Sequence, residues 1–117
     1  MNQVNVQVSI IMATYNRAHF IVETLQSIQN QTFSDFECLI IDDGGTDNTQ
    51  EVIAPILAQD HRFSYRKRTE QYHKGLPGCR NFGIDLAKGQ YLIFDGGKVL
   101  NIRKHTGYEV EIEAVQN

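Results

Sequence analysis

The fold is decided by two apolar runs that each break into polar residues, Val8-Ser9-Ile10-Ile11-Met12-Ala13-Thr14-Tyr15-Asn16-Arg17 and Leu39-Ile40-Ile41-Asp42-Asp43-Gly44-Gly45-Thr46-Asp47. Each run is typical of a buried strand, and a helical pattern follows each break. In an open α/β sheet, ligands bind in the crevice beyond the carboxyl ends of the strands. The polar residues at the two breaks therefore predict the floor of a ligand site.

The remaining sequence continues the alternation of strands and helices. Strands are expected over residues 6–12, 37–41, 63–67 and 91–94. Apolar residues at helical spacing predict a helix from Ala18 to near Gln31, a second after Asp47 and a third from about Pro77. Strands that alternate with helices imply a parallel sheet with right-handed crossovers. We expect an α/β fold, a three-layer, Rossmann-like, mostly parallel sheet with strand order 3-2-1-4.

Local signals predict where the helices begin and end. Asp47 is expected to cap the second helix, with Gln50 at the spacing of a capping box, and Pro55 should kink or shorten that helix. Pro77 suits the first turn of the third helix. Gly89 stands just past the end of that helix, where a left-handed residue is favourable.

The last part of the chain has a different pattern. Apolar residues alternate with Glu109, Glu111 and Glu113, and the apolar set is Tyr108, Val110, Ile112 and Ala114. Strict alternation is typical of a half-buried strand. We therefore expect the tail to form a β-hairpin or a lone antiparallel edge strand, paired at the sheet edge over residues 99–115. Exposed edges and apolar patches favour self-association, so a homodimer through this tail is also expected.

Size and charge narrow the function. A chain of 117 residues forms one domain, and its net charge of −3 does not indicate a surface that binds nucleic acid.

The basic cluster of residues 66–68 is either a solvated edge or an aid to binding a phosphate. Cys38 and Cys79 are read as buried hydrophobic residues. Since no basic leader or long apolar stretch is visible, we expect a cytoplasmic protein, or one peripheral to a membrane in a longer form.

The polar breaks exclude two classes of nucleotide site. No glycine-rich loop follows the first strand, which counts against a dinucleotide fingerprint and against a P-loop. Thr14, Tyr15 and Asn16 instead suit recognition of a base. Asp42 and Asp43 cannot both be buried cheaply, so one of them should reach solvent, a ligand or backbone donors. The alternative is a turn that only caps a helix.

Three stretches in order resemble family-2 glycosyltransferases of the GT-A fold. The family patterns are V-S-(I/V)-I-x-x-(T/Y)-Y-N-R, (I/V)-(I/V)-D-D-G-S-T-D and G-x-x-x-A-R-N-x-G, and the third is similar to residues 75–83. The resemblance implies that residues 6–97 are the nucleotide-sugar-binding half of such a domain, followed by a tail outside the family pattern, 98–117. It implies nucleotide contacts from Thr14, Tyr15, Asn16, Asp42, Asp43, Arg80 and Asp95.

The fourth stretch departs from the family. The family ends its fourth strand with a run such as F-L-D-x-D-D, whose outer acids hold Mn²⁺ or Mg²⁺ on the diphosphate of the donor. Here Asp95 is retained, but Gly97 occupies the position of the second acid. We therefore expect an incomplete metal site with Asp95 as its carboxylate. The half of the family domain that supplies the acceptor pocket and general base is not matched, so no catalytic residue is identified.

Two kinds of function follow from the resemblance. The chain is expected to be the donor-binding half of an enzyme that moves sugar from a nucleotide-diphosphate sugar, a UDP-sugar first, to an acceptor such as a surface polysaccharide. Alone it should transfer no sugar. The alternative is a non-catalytic module that binds a nucleotide or a partner. A receiver-like phospho-acceptor domain ranks below both, because its acidic pair should follow the first strand.

Overall fold

The computed structural model describes residues 6–94, 98–104 and 110–116. Its elements, in chain order, are β1 (Val8–Thr14), α1 (Ala18–Gln29), β2 (Phe36–Asp42), α2 (Thr49–Gln59), β3 (Phe63–Lys67), α3 (Leu76–Leu86), β4 (Tyr91–Phe94), β5 (Lys98–Lys104) and β6 (Val110–Gln116). They form one sheet in the order β3-β2-β1-β4-β5-β6. The first four strands are parallel, which confirms the predicted order 3-2-1-4.

The antiparallel edge predicted for the tail is also confirmed. Strand β5 runs antiparallel to β4, with Leu92 opposite Leu100, and β6 runs antiparallel to β5, with Ile102 opposite Ile112. A receiver-like domain requires a sheet that begins in the order 2-1-3, with its acidic pair after the first strand. The observed order, and the position of the acidic pair after β2, are incompatible with that alternative.

The central strands are mostly apolar because both faces of the sheet are covered. Alternate residues such as Ile10 and Ile40 pack under α1 and α2 on one face. Their neighbours Ile11 and Ile41 pack under α3 on the other face. Strands buried on both faces lose the polar alternation of a half-exposed strand. The result is the predicted three-layer arrangement. Within the described parts of the chain, no helix has the length and apolar composition needed to cross a bilayer.

The predicted capping role of Asp47 is wrong in its detail. Helix α2 begins at Thr49, its N-cap residue is Asn48, and no side chain caps it there, so the capping box with Gln50 does not form. Asp47 lies one residue earlier and serves two helices. Its Oδ1 accepts the Thr49 backbone N–H at 3.1 Å, and its Oδ2 accepts the Ala18 N–H at 3.0 Å. A carboxylate at these two helix starts also suits their positive dipole ends.

The predicted left-handed conformation at Gly89 is wrong as well. Helix α3 ends at Leu86, and its C-cap residue is extended. Among the described residues, the positive-φ glycines are Gly44 and Gly75. Gly89 is needed for close approach instead, because a Cβ there would lie 2.7 Å from the Ser9 backbone nitrogen. Helix α2 continues through Pro55.

Candidate functional site

A cleft of about 330 Å³ opens at the carboxyl end of β1, where the sequence predicted a ligand site. Ligand pockets typically fall between about 300 and 1,000 Å³. The cleft lies between the first turns of α1 and α3. Its lining residues are Met12, Ala13, Thr14, Tyr15, Arg17, Phe20, Ile21, Thr24, Asp43, Gly75, Leu76 and Cys79.

The end of β1 lines the cleft. The pairing of β4 with β1 ends where Phe94 lies opposite Ile11. The last three residues of β1, from Met12 to Thr14, therefore extend beyond the described part of β4 and line the cleft. The neighbouring strand β2 stays paired with β1 up to Asp42, so the residue that follows it, Asp43, reaches the same cleft.

Thr14 has an unused hydrogen-bonding group in this cleft. Its side chain is buried, with 5% of the residue exposed. Its Oγ1 has no hydrogen-bond partner among the described residues. A buried hydroxyl without a partner is unfavourable, and most such groups in proteins are satisfied. A polar ligand atom in the cleft would supply the missing bond.

The rim of the cleft is apolar and exposed. Tyr15 is 50% exposed, and Phe20 and Leu76 are also largely exposed. Aromatic side chains offer flat apolar faces that stack on planar ligands. These three residues belong to β1–α1 and to the start of α3, so the rim is drawn from both sides of the cleft.

Asp43 is the acidic group of the cleft. Its carboxylate accepts hydrogen bonds from Arg68 Nε at 2.6 Å and from the Gly75 N–H at 3.1 Å. Burial raises its pKa, but these donors and the Cys79 thiol outweigh burial and hold the pKa of Asp43 below its usual range. Burial, and then the nearby Asp43, raise the pKa of Cys79 to about 11, so its thiol stays protonated and donates. Asp43 is thus an ionised acceptor.

Asp42 is turned away from the cleft. Its Oδ1 accepts the N–H groups of Gly44 and Gly45 at 3.1 and 2.8 Å, and its Oδ2 accepts the Tyr65 hydroxyl. Asp42 is buried and does not line the cleft. The acidic pair is therefore divided, since Asp42 organises the turn and Asp43 faces the cleft. The predicted nucleotide contact of Asp42 stays a prediction.

Asn16 also holds the turn. It has a positive φ of 53°, which asparagine tolerates better than most residues. Its Oδ1 accepts the N–H groups of Thr46 and Asp47 at 2.7 and 3.1 Å. Asn16 therefore ties the loop after β1 to the loop after β2, and it does not line the cleft.

Arg80 lies on α3, next to the last described residue of β4. The Arg80 guanidinium lies 4.8 Å from the centre of the Phe94 ring, and Arg80 does not line the cleft. The Arg80 Nε is buried with no partner among the described residues. Asp95 lies outside the described residues. No group of three or more metal-ligating side chains occurs in the described ranges, so those ranges do not fit a divalent cation by themselves.

Sequence reasoning missed Arg68 and Cys79 as site residues. The sequence predicts only a solvated or phosphate-binding role for Arg68, and for Cys79 only a buried hydrophobic position, which it does occupy. The position of Arg68 beside Asp43 follows from the register of the sheet. Since β2 and β3 are parallel with Asp42 opposite Lys67, the next residues along each strand, Asp43 and Arg68, must be neighbours.

Comparison with protein-family models gives two matches. The model of glycosyl transferase family 2 matches residues 9–94. A second model, of a protein family of unknown function (DUF2797), matches residues 82–110.

Two curated proteins illustrate the sequence similarity. The chain is 34% identical over 88 residues to the GalNAc(5)-diNAcBac-PP-undecaprenol beta-1,3-glucosyltransferase of Campylobacter jejuni, covering 75% of this chain and 28% of that protein. It is 40% identical over 87 residues to the UDP-Glc:alpha-D-GlcNAc-diphosphoundecaprenol beta-1,3-glucosyltransferase WfaP of Escherichia coli, covering 74% of this chain and 33% of that protein. The chain thus spans about a third or less of the length of these relatives.

Two solved structures resemble the fold. S. aureus TarS 1-349 in complex with UDP-GlcNAc superposes with a TM-score of 0.68 at 27% identity, over 82% of this chain and 28% of that one. The mannosyltransferase PcManGT of Pyrobaculum calidifontis, in complex with GDP-Man and Mn²⁺, superposes with a TM-score of 0.65 at 22% identity, over 79% of this chain and 28% of that one. The second likeness concerns the fold alone.

Proposed function

The chain belongs to glycosyl transferase family 2, and from this membership we propose that its cleft binds the nucleotide of a sugar donor. The observation that carries the proposal is that the buried Thr14 hydroxyl, which has no partner among the described residues, and the ionised carboxylate of Asp43 line the same cleft. One group can donate to a base carbonyl, and the other can accept from a base N–H. The exposed ring of Tyr15 supplies an apolar face at the rim.

The hydrogen-bonding pattern favours uracil over guanine. A carboxylate offers about four acceptor positions. Three donors of the chain already use the Asp43 carboxylate, namely Arg68, Gly75 and Cys79. Uracil presents one N–H between two carbonyls and needs one acceptor. Guanine presents N–H groups at two adjacent positions, which match both oxygens of an uncommitted carboxylate. We therefore propose a uridine nucleotide, the class that TarS holds in its complex.

The transfer reaction itself is proposed for a longer protein of which this chain is the donor-binding part. The relatives are several times longer than the matched region. The Mn²⁺ of PcManGT supports a cation in the family, but the described residues here provide no ligand group for one. Gly97, at the position of the second family acid, favours the second candidate, a module that binds a nucleotide without transfer. The boundary expected near residue 97 stays a prediction.

UDP binding tests the proposal. Titration of UDP into the protein should shift the backbone amide NMR signals of Thr14, Tyr15 and Gly75, and GDP should bind more weakly. Thr14→Val keeps the shape and removes the hydroxyl, so it should weaken UDP binding by about 1 kcal/mol, or several-fold. Thr24→Val is the matched control, because Thr24 lines the same cleft but its hydroxyl already donates to the Phe20 carbonyl.

Three outcomes would count against the cleft. UDP at millimolar concentration could cause no shifts, it could shift only amides of residues 98–116, or Thr14→Val could leave the affinity at the wild-type value. A GDP affinity equal to that of UDP would contradict the choice of uracil and leave the cleft in place.

We also propose that β5 and β6 mediate a homodimer. Strand β6 is the last strand of the sheet, and an edge strand offers unpaired N–H and C=O groups to another chain. Deletion of residues 99–117 should convert a dimer into a monomer or reduce solubility, as measured by sedimentation velocity. Ile112→Lys should also favour the monomer. Glu113→Gln is its control, because Glu113 belongs to the polar set that alternates with the apolar residues of this strand. Unchanged sedimentation after the deletion would refute the dimer.

A further inference from the structure

We propose that Arg68 is a positioning residue, which fixes the Asp43 carboxylate and the loop between β3 and α3 so that the cleft retains an acceptor for a nucleotide base. The inference rests on the proposed function, in which Asp43 accepts the base N–H. Arg68 itself does not line the cleft. It therefore acts through Asp43 and through Gly75, which do.

The sheet register places Arg68 beside Asp43. Strands β2 and β3 are parallel, and Asp42 lies opposite Lys67 at their ends. The Arg68 backbone N–H continues the pairing by donating to the Asp42 carbonyl at 2.8 Å. The Arg68 Nε then meets Asp43 Oδ1 at 2.6 Å, with both side chains only 14% exposed. A partly buried ion pair with fixed geometry is screened less than a surface pair.

The same guanidinium holds the loop that follows β3. Its Nη1 donates to the Tyr72 carbonyl at 2.8 Å and to the Thr69 carbonyl at 3.3 Å. The loop then ends at Gly75, whose N–H donates to both oxygens of Asp43 at 3.1 Å. Arg68 thus binds the carboxylate and the loop at once. The planar fork of arginine permits this, whereas a lysine ammonium is a single point of charge.

The ion pair also sets the pH range in which Asp43 can accept. Burial by itself raises the pKa of Asp43, and the opposing donors come from Arg68, Gly75 and Cys79. The other charged groups nearby are Asp42, the preceding residue, and Arg17, across the cleft. Without Arg68, burial would remain and the pKa of Asp43 would rise. Since the ionised carboxylate accepts a base N–H more strongly than the protonated carboxyl group does, ligand binding would then weaken at a higher pH as the pH falls.

Carboxyl ¹³C NMR of Asp43 in the ligand-free, full-length chain tests the coupling. In the wild-type protein the carboxyl should titrate below the ordinary value of 3.8, and in Arg68→Gln it should titrate at a higher pH than in the wild-type protein. Arg66→Gln is the matched control, because Arg66 is an exposed arginine of β3 two residues before Arg68, and its replacement should leave the titration unchanged. In Arg68→Lys, which retains the charge, the carboxyl should titrate close to the wild-type value. The amides of Tyr72 and Gly75 should nevertheless shift.

Uridine binding provides the second measurement. Uridine is used because it carries no phosphate, so the pH dependence of binding is not complicated by titration of a phosphate group. As the pH falls, the uridine affinity of Arg68→Gln should begin to drop at a higher pH than that of the wild-type protein, and the full loss should be about tenfold, the scale of one charge-assisted hydrogen bond. If Asp43 titrates in Arg68→Gln at the same pH as in the wild-type protein, Arg68 does not have this role. If Arg68→Gln fails to fold, Arg68→Lys decides instead, and unshifted amides of Tyr72 and Gly75 in that variant would overturn the proposal. A wild-type protein that binds neither uridine nor UDP would overturn the proposed function instead, because the carboxyl titration is measured without ligand.

Discussion

Replacing Gly78 with alanine is expected to cause a large loss of stability. A Cβ at this position would lie 1.5 Å from the carbonyl oxygen of His73, a backbone atom that cannot rotate away. The loop before α3 would have to move, and with it the Gly75 N–H that binds Asp43. Overpacking of this kind costs about 3 kcal/mol, at the upper end of single substitutions. Urea unfolding followed by circular dichroism measures the loss.

Gly44→Ala separates this clash from the general effect of adding a methyl group to a glycine. Gly44 has a positive φ of 95° but nothing within 4 Å of the added Cβ. It should therefore cost only backbone strain, about 1 kcal/mol. Equal unfolding midpoints for the two variants would show that the approach of His73 to α3 is not tight in solution.

Replacing Asp42 with alanine is expected to have the second largest effect. Three donors would lose their acceptor, namely the N–H groups of Gly44 and Gly45 and the hydroxyl of Tyr65. Each unsatisfied buried donor costs about 1–3 kcal/mol, and water can reach the exposed Gly44, so we expect a total of about 3 kcal/mol. The free energy of unfolding by urea is the measurement.

Two companion variants make that result specific. Tyr65→Phe removes one of the three hydrogen bonds and should cost about 1 kcal/mol. Asp35→Ala removes an exposed carboxylate just before β2 and should leave the stability within about 0.5 kcal/mol of wild type. If Asp42→Ala is no worse than Asp35→Ala, the turn after β2 does not depend on this carboxylate.

The fold was largely predictable because its signals are local. Continuous apolar runs such as 8–13 and 38–41 indicated strands covered on both faces, and that burial is observed. The errors concern contacts between distant segments. The local pattern places Gly89 at a helix end, but Ser9, 80 residues earlier, determines its role, because the Ser9 hydroxyl accepts the Gly89 N–H and the backbone of Ser9 approaches closely. The local pattern assigns Asp47 to one helix, since its bond with the Ala18 N–H depends on the meeting of two loops.

The sequence predicted where the candidate site lies, but not which residue has which role in it. Thr14 and Asp43 meet in one cleft because adjacent parallel strands end at the same edge. Which acid of the pair faces the cleft depends on the turn, where the N–H groups of Gly44 and Gly45 attract Asp42. Arg68 escaped notice because its partner lies 25 residues away, and only the register of β2 and β3 brings them together.

Asn16 and Asp47 join the loops after β1 and β2 by hydrogen bonds, here called the clip, and this clip limits how such domains can be recombined. The Asn16 side chain accepts the N–H of Thr46, 30 residues away, and the Asp47 side chain accepts the N–H of Ala18. A chimera with its crossover between residues 18 and 46 would inherit the two halves of this clip from different parents. Shuffled libraries should therefore tolerate crossovers in that interval only between parents that share both side chains. Crossovers after residue 49, which keep the clip in one parent, escape that restriction.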